Sequence, residues 1–153
     1  VLRDTGLKAQ RLELEITENA LLGDTDLTVA ILTQLRDFGV RIALDDFGTG
    51  YSSIGYLRRF PFDKIKIDRS FVARSDQESD SAAMVRMIAA LGLSLDVITT
   101  AEGVETCSEL AVVKEAGCGQ VQGYLVSKPI PAKELAPVFH EPEAVKACRH
   151  RSR

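Results

Sequence analysis

The chain has 153 residues, 45% apolar and 27% charged, with a formal net charge of −3. That length suits one domain with its own core, and the mildly acidic balance removes the electrostatic case for gripping a long nucleic acid. No apolar run is long enough to cross a bilayer and no leader-like segment opens the chain, so a cytoplasmic location is expected, with any membrane anchor of a longer parent lying upstream.

Val1–Gly6 read as the end of a helix. Arg11–Thr17 follow as a strand, with Leu12, Leu14 and Ile16 on one face and Glu13, Glu15 and Thr17 on the other. Leu27, Ile31, Leu35 and Phe38 recur at helical spacing after Asp24 and Asp26, either able to cap, and Gly39 ends the run. Arg41–Asp45 form the next strand, and a short helix is expected after Ser53. Asp63–Asp68 set Ile65 and Ile67 against Lys64, Lys66 and Asp68. Met84, Ile88, Leu91 and Leu95 define a helix after Asp80 and Ser81, and Asp96–Ala101 a further strand. Leu110 and Val113 belong to a helix closed by Gly117, Cys118–Tyr124 to a last strand, and a short helix follows Pro131. Residues 1–140 are taken as the domain and 141–153 as a flexible tail, whose basic Arg149-His150-Arg151-Ser152-Arg153 cluster is solvated. Cys107, Cys118 and Cys148 lack metal-site spacing, and their odd number fits free, buried thiols in a reducing compartment.

Strands alternating with helices imply parallel pairing through crossovers. Each strand also delivers a polar residue near its carboxyl end. An open sheet covered on both faces favours nearly continuous apolar strands, whereas a barrel turns apolar residues outward and gathers chemistry at its carboxyl-end mouth. The fold class expected is therefore α/β, a partial (β/α)8 TIM-type barrel with five of eight βα units. A complete barrel of this kind needs about 250 residues.

Asp45-Asp46-Phe47-Gly48-Thr49-Gly50-Tyr51-Ser52-Ser53 carry the most chemical information. Adjacent carboxylates at a strand end repel unless a cation lies between them, although Asp, Gly, Thr and Ser also suit a solvated turn. The strand-end positions Glu15, Asp45, Asp46, Lys66, Glu102 and Gln122 would converge at one mouth. Carboxylates there can hold a pair of hard divalent cations, Mg2+ or Mn2+, which is a general solution to phosphodiester hydrolysis. A lysine among them could orient the attacking water and offset developing charge, or make an ordinary ion pair. Glu102 could be a ligand or a general base, and Glu13 is expected in an interior ion pair.

Leu14-Glu15-Ile16-Thr17-Glu18, Asp45–Ser53, Lys64-Ile65-Lys66-Ile67-Asp68, Ala101-Glu102-Gly103-Val104-Glu105-Thr106 and Gln122-Gly123-Tyr124 resemble, in that order, the signatures of EAL domains. These are bacterial signalling phosphodiesterases that open cyclic di-GMP to linear pGpG. The resemblance runs from about residue 10 to residue 137. It implies Glu15, Asp45 and Asp46 as metal ligands, Lys66 as the residue positioning water, and Glu102 and Gln122 completing the inner shell. It implies that Glu18 braces the loop containing Gly48, Thr49 and Gly50, that this loop and the helix after it support a homodimer, and that Asp68, Lys128 and Pro129 lie on the substrate side. Two divalent cations are implied as cofactors, with Ca2+ supporting binding but inhibiting turnover. An upstream sensor or GGDEF-type cyclase domain is a partner the resemblance allows.

The Glu-Ala-Leu signature itself, and an asparagine ligand on the strand after it, precede the residues present here. The 153-residue chain alone is therefore expected to be inactive, and to expose apolar sheet edges unless it oligomerises. The alternative function is a non-catalytic cyclic di-GMP receptor or dimerisation module.

Overall fold

The computed structural model describes residues 2–22, 25–50, 54–77, 79–136 and 143–150. In chain order these form α1 (Leu2–Thr5), β1 (Glu13–Thr17), α2 (Thr25–Asp37), β2 (Arg41–Phe47), α3 (Ile54–Leu57), β3 (Lys64–Ile67), α4 (Arg69–Val72), α5 (Ser79–Leu95), β4 (Ile98–Ala101), α6 (Cys107–Glu115), β5 (Gln120–Val121) and α7 (Glu143–His150). The strands make one parallel sheet in the order β1-β2-β3-β4-β5. Sequential order with a helical crossover between neighbours builds the wall of a (β/α) barrel.

The two faces separate as the alternation requires. Ile42, Leu44, Ile65 and Ile67 are fully buried against Leu32 of α2, Val85 and Ile88 of α5, and Leu110 and Val113 of α6. The opposite face carries Glu13, Glu15, Asp45, Lys64 and Lys66. α5 comes especially close to β4, because a Cβ on Gly92 would sit 2.3 Å from Thr99 Cγ2. A side chain there would lift the helix off the sheet.

The helix after β1 turns a different face inward from the one its spacing suggested. Leu27, Ile31 and Phe38 are 58%, 48% and 57% exposed, while Leu32 is the buried residue among the described side chains of α2 and Leu35 is half-buried. Periodicity cannot choose between two apolar stripes about one residue apart on the same helix. β5 is also shorter than expected, because pairing with β4 stops after Val121. β1 and β5 each have one neighbour in the sheet among the described residues.

The cysteines require a correction. Cys107 and Cys148 are joined in a disulfide, and Cys118 is the free, half-buried thiol. The bond depends on α7 lying against the start of α6 across a sequence separation of 41 residues, which spacing alone cannot reveal. The stretch taken as a tail thus contains α7, in which Val145 is half-buried and Cys148 buried. Among the described residues no helix is long and apolar enough to cross a membrane.

Candidate active site

Lys66 is the centre of the polar face. Its side chain is 7% exposed, and its Nζ lies 2.7 Å from Glu15 Oε1, 2.9 Å from Asp45 Oδ1 and 2.8 Å from Glu102 Oε1. Parallel pairing explains the convergence. Glu15 comes from β1, Asp45 from β2 and Lys66 from β3, while Glu102 directly follows β4 and anchors its amide on Ile67 O at 3.2 Å. Burial alone would lower the lysine pKa, but the close carboxylates of Glu102, Glu15 and Asp45 outweigh it and hold the pKa above the usual lysine value. Lys66 is therefore an ammonium throughout the physiological range and cannot serve as a base.

Asp46 reaches the same mouth through a local irregularity. Neighbouring residues in a regular strand point to opposite faces. Here Leu44 pairs with Ile65 but Phe47 pairs with Ile67, so β2 contains one extra residue. Asp46 takes up the distortion with φ 54°, a left-handed conformation that Asp tolerates better than most residues. Thr49 Oγ1 donates to the Asp46 carbonyl at 2.8 Å. The result is that one carboxylate oxygen from each of Asp45, Asp46 and Glu102 lies within 4.8 Å of the others.

The loop after β2 is held from below by Glu18. This carboxylate is 4% exposed, and its Oε2 accepts hydrogen bonds from the amides of Gly48 and Gly50, both at 3.3 Å. A Cβ on Gly50 would lie 2.8 Å from the Glu18 carboxyl carbon, so glycine is what allows the backbone this close. Tyr51, Ser52 and Ser53 lie outside the described residues.

Gln122 follows β5, with its amide on Ala101 O at 2.8 Å and its carbonyl accepting from Val104 N at 3.1 Å. It lines a cleft beside Glu102, Arg69 and Tyr124. Asp68 has a separate occupation, since its carboxylate accepts from Ser70 N at 3.0 Å and caps α4. Lys128 Nζ sits 5.7 Å from the centroid of the Tyr124 ring, a cation–π contact, and Pro129 is exposed. Glu13 pairs with Lys64 at 2.7 Å, below the Lys66 cluster.

Two supports of the Glu102 loop had not been singled out. Arg69 pairs with Glu105 at 2.7 Å, and nothing in the sequence signals that contact. The buried Glu109 accepts from Glu105 N at 2.8 Å and Thr106 N at 3.0 Å, while Thr106 accepts from Glu109 N. This capping box was legible as Thr106 followed three residues later by Glu109.

The donor set fits a hard divalent cation. All the candidate donors are carboxylate oxygens. Asp45 Oδ1 is buried and accepts no well-directed hydrogen bond, although Lys66 Nζ is an ion partner at 2.9 Å. The fold and cluster together define a parallel βα domain with an acidic, lysine-centred mouth at the carboxyl ends of its strands.

The family follows from comparison with known proteins. The model of the EAL domain matches residues 1–129, and the chain belongs to the EAL domain family. It is 49% identical, over 96% of its length, to the uncharacterised protein y4lL of Sinorhizobium fredii. It is 46% identical, over 88% of its length, to the cyclic di-GMP phosphodiesterase NbdA of Pseudomonas aeruginosa. It spans only 18% and 17% of those two relatives. Among solved structures, the PaMucR phosphodiesterase in complex with c-di-GMP matches with a TM-score of 0.83 and 44% identity, over 88% of this chain and 54% of that one. Klebsiella pneumoniae BlrP1, in a manganese and cyclic di-GMP complex, matches with a TM-score of 0.77 and 34% identity, over 84% and 33%. The five βα units thus correspond to part of the TIM-type barrel of EAL domains.

Proposed function

We propose that this chain supplies the acidic half of the active site of a cyclic di-GMP phosphodiesterase, which hydrolyses the cyclic dinucleotide to pGpG. The observation that carries the reading is the Asp45, Asp46 and Glu102 cluster gathered beside a buried, triply paired Lys66. Relatives named as cyclic di-GMP phosphodiesterases and solved complexes with that ligand support it.

Two divalent cations, Mg2+ or Mn2+, would be held by Glu15, Asp45 and Asp46 with Glu102, and when bound would acidify the attacking water and polarise the phosphate ester. The manganese and calcium complexes of BlrP1 support this choice of cation class. Lys66 keeps its proton, so its part is to orient the water and to offset charge on the phosphate oxygens as they become more negative. Glu102 lies 2.8 Å from Lys66 Nζ and would be available as a ligand or as the acceptor of the water's proton. Glu18 fixes the loop that follows Asp46, and so supports the end of β2 that carries the two aspartates. Gln122, Tyr124 and Lys128 line the side on which the dinucleotide would lie.

The family resemblance implies further ligands on strands that precede β1. We therefore read the 153 residues alone as inactive, with turnover belonging to a complete barrel that dimerises through the loop and helix after Asp46 and works in the cytoplasm beside sensor or cyclase domains. The test is calorimetric titration of cyclic di-GMP into the chain with Ca2+, followed by Mg2+ and an assay for pGpG. Binding without product is expected. Product from the chain alone would overturn the assignment of essential ligands to other strands, and the absence of binding would place recognition in the complete barrel only.

A further inference from the structure

α7 lies beyond the stretch matched to the family, which ends at residue 129, and it is fastened covalently. Cys148 of α7 is bonded to Cys107, the first residue of α6. We propose that this pair is a reversible redox site, a clasp opened by a dithiol, whose state decides whether α7 is docked. The inference does not rest on the proposed phosphodiesterase function.

The surroundings of the bond favour exchange. Cys107 is half-buried rather than enclosed, and both cysteines border a cleft walled by Glu105, Thr106, Ser108, Ala111 and Leu125, so an incoming thiolate can approach the more open sulfur of Cys107. It also sits at the start of a nine-residue helix already capped by Thr106. The dipole of such a terminus stabilises a thiolate there, so Cys107 leaves readily when the mixed disulfide is resolved. Among the side chains of α7 that are described, Cys148 is buried and Val145 half-buried, whereas Lys146 and Ala147 are exposed. A helix of eight residues is marginal by itself in water, so the covalent link contributes to its docking.

The chemistry balances as ordinary thiol–disulfide exchange. A thiolate of an external dithiol attacks Cys107 Sγ, forms a mixed disulfide and expels the Cys148 thiolate, which takes up a proton. The second thiolate of the dithiol then attacks its own sulfur in the mixed disulfide and releases the Cys107 thiolate. Two electrons have passed to the protein cysteines, and the dithiol leaves as its disulfide. A low-molecular-weight disulfide reverses the sequence.

The test uses the chain equilibrated in oxidised or reduced dithiothreitol. Free cysteines are alkylated and mapped by mass spectrometry, and tryptic cleavage after Lys146 is timed. In the oxidised sample only Cys118 should alkylate. In the reduced sample all three cysteines should alkylate, and cleavage after Lys146 should speed up by on the order of tenfold as α7 undocks. Cys148→Ser should cleave rapidly in both buffers, while Cys118→Ser should respond as the parent does. Alkylation of Cys107 and Cys148 under oxidising conditions, or equal cleavage rates in the two buffers, would overturn the proposal.

Discussion

Replacing Lys66 by methionine tests how far the mouth depends on one buried cation. The substitution keeps the length of the apolar stem and removes the ammonium. The lysine side chain is 7% exposed, and those of Glu102 and Asp45 are 17% and 20% exposed. Glu15, at 49%, is well solvated, so its pair is heavily screened. Allowing about 1.5 kcal/mol for each of the two enclosed contacts and little for Glu15 gives a loss of about 3 kcal/mol. The carboxylates left behind repel one another, which acts in the same direction. The assay is urea unfolding at pH 7, followed by circular dichroism, with chelator or with Mg2+ present. The loss should appear in chelator and shrink with Mg2+, which would bind the exposed acids of the folded form.

The pH dependence provides a second arm. The folded-state pKa of Lys66 lies above the ordinary lysine value of about 10.5. Its stabilisation is therefore complete below about pH 10.5 and is lost as pH rises through the folded-state pKa. Lys66→Met should remove that alkaline loss. A penalty below about 1 kcal/mol in chelator, or an unchanged alkaline limb, would refute the idea that the ammonium holds the carboxylates together.

Two further substitutions address the loop and the ligands. Glu18→Gln keeps the shape but removes the charge that accepts from Gly48 and Gly50, and should cost about 1–2 kcal/mol, with faster hydrogen exchange at those two amides as the specific sign. Unchanged exchange there would mean that the loop is held by other contacts. In a complete domain Asp45→Asn should lower Mg2+ affinity and turnover together, measured by calorimetry and pGpG formation. Undiminished Mg2+-dependent hydrolysis would remove Asp45 from the ligand set.

Much of the sheet was legible because charge and apolar residues alternate so cleanly. In Lys64-Ile65-Lys66-Ile67 the isoleucines could only face the helices, and the lysines then had to face the interior. The same rule placed Glu13 and Glu15 together on β1, and the end of a parallel strand is where a polar residue meets solvent. The rule fails at Asp46. Strict alternation would separate it from Asp45, and only the extra residue in β2, with a left-handed backbone, reunites them. A bulge leaves no compositional trace beyond the Asp-Asp pair itself. α2 was ambiguous for another reason, because apolar residues occupy two adjacent stripes and tertiary packing chooses Leu32 over Ile31. The Cys107–Cys148 bond was invisible because it joins distant segments.

The charge balance of the mouth connects these details to the proposed chemistry. Glu15, Asp45, Asp46 and Glu102 are four carboxylates facing a single ammonium. By formal charge the cluster carries an excess of three negative charges, and a cyclic dinucleotide brings two more. Such a mouth repels its proposed substrate unless cations are bound. Two divalent cations would turn the excess into one positive charge, enough to draw in the phosphodiester to be cut. Lys66 alone cannot do this, because one ammonium offsets only one of the four carboxylates. It is better suited to keeping the acids in place than to attracting substrate. The bulge at Asp46 matters for the same reason. It adds the fourth carboxylate to this mouth, and with it the excess negative charge that a pair of hard cations would require.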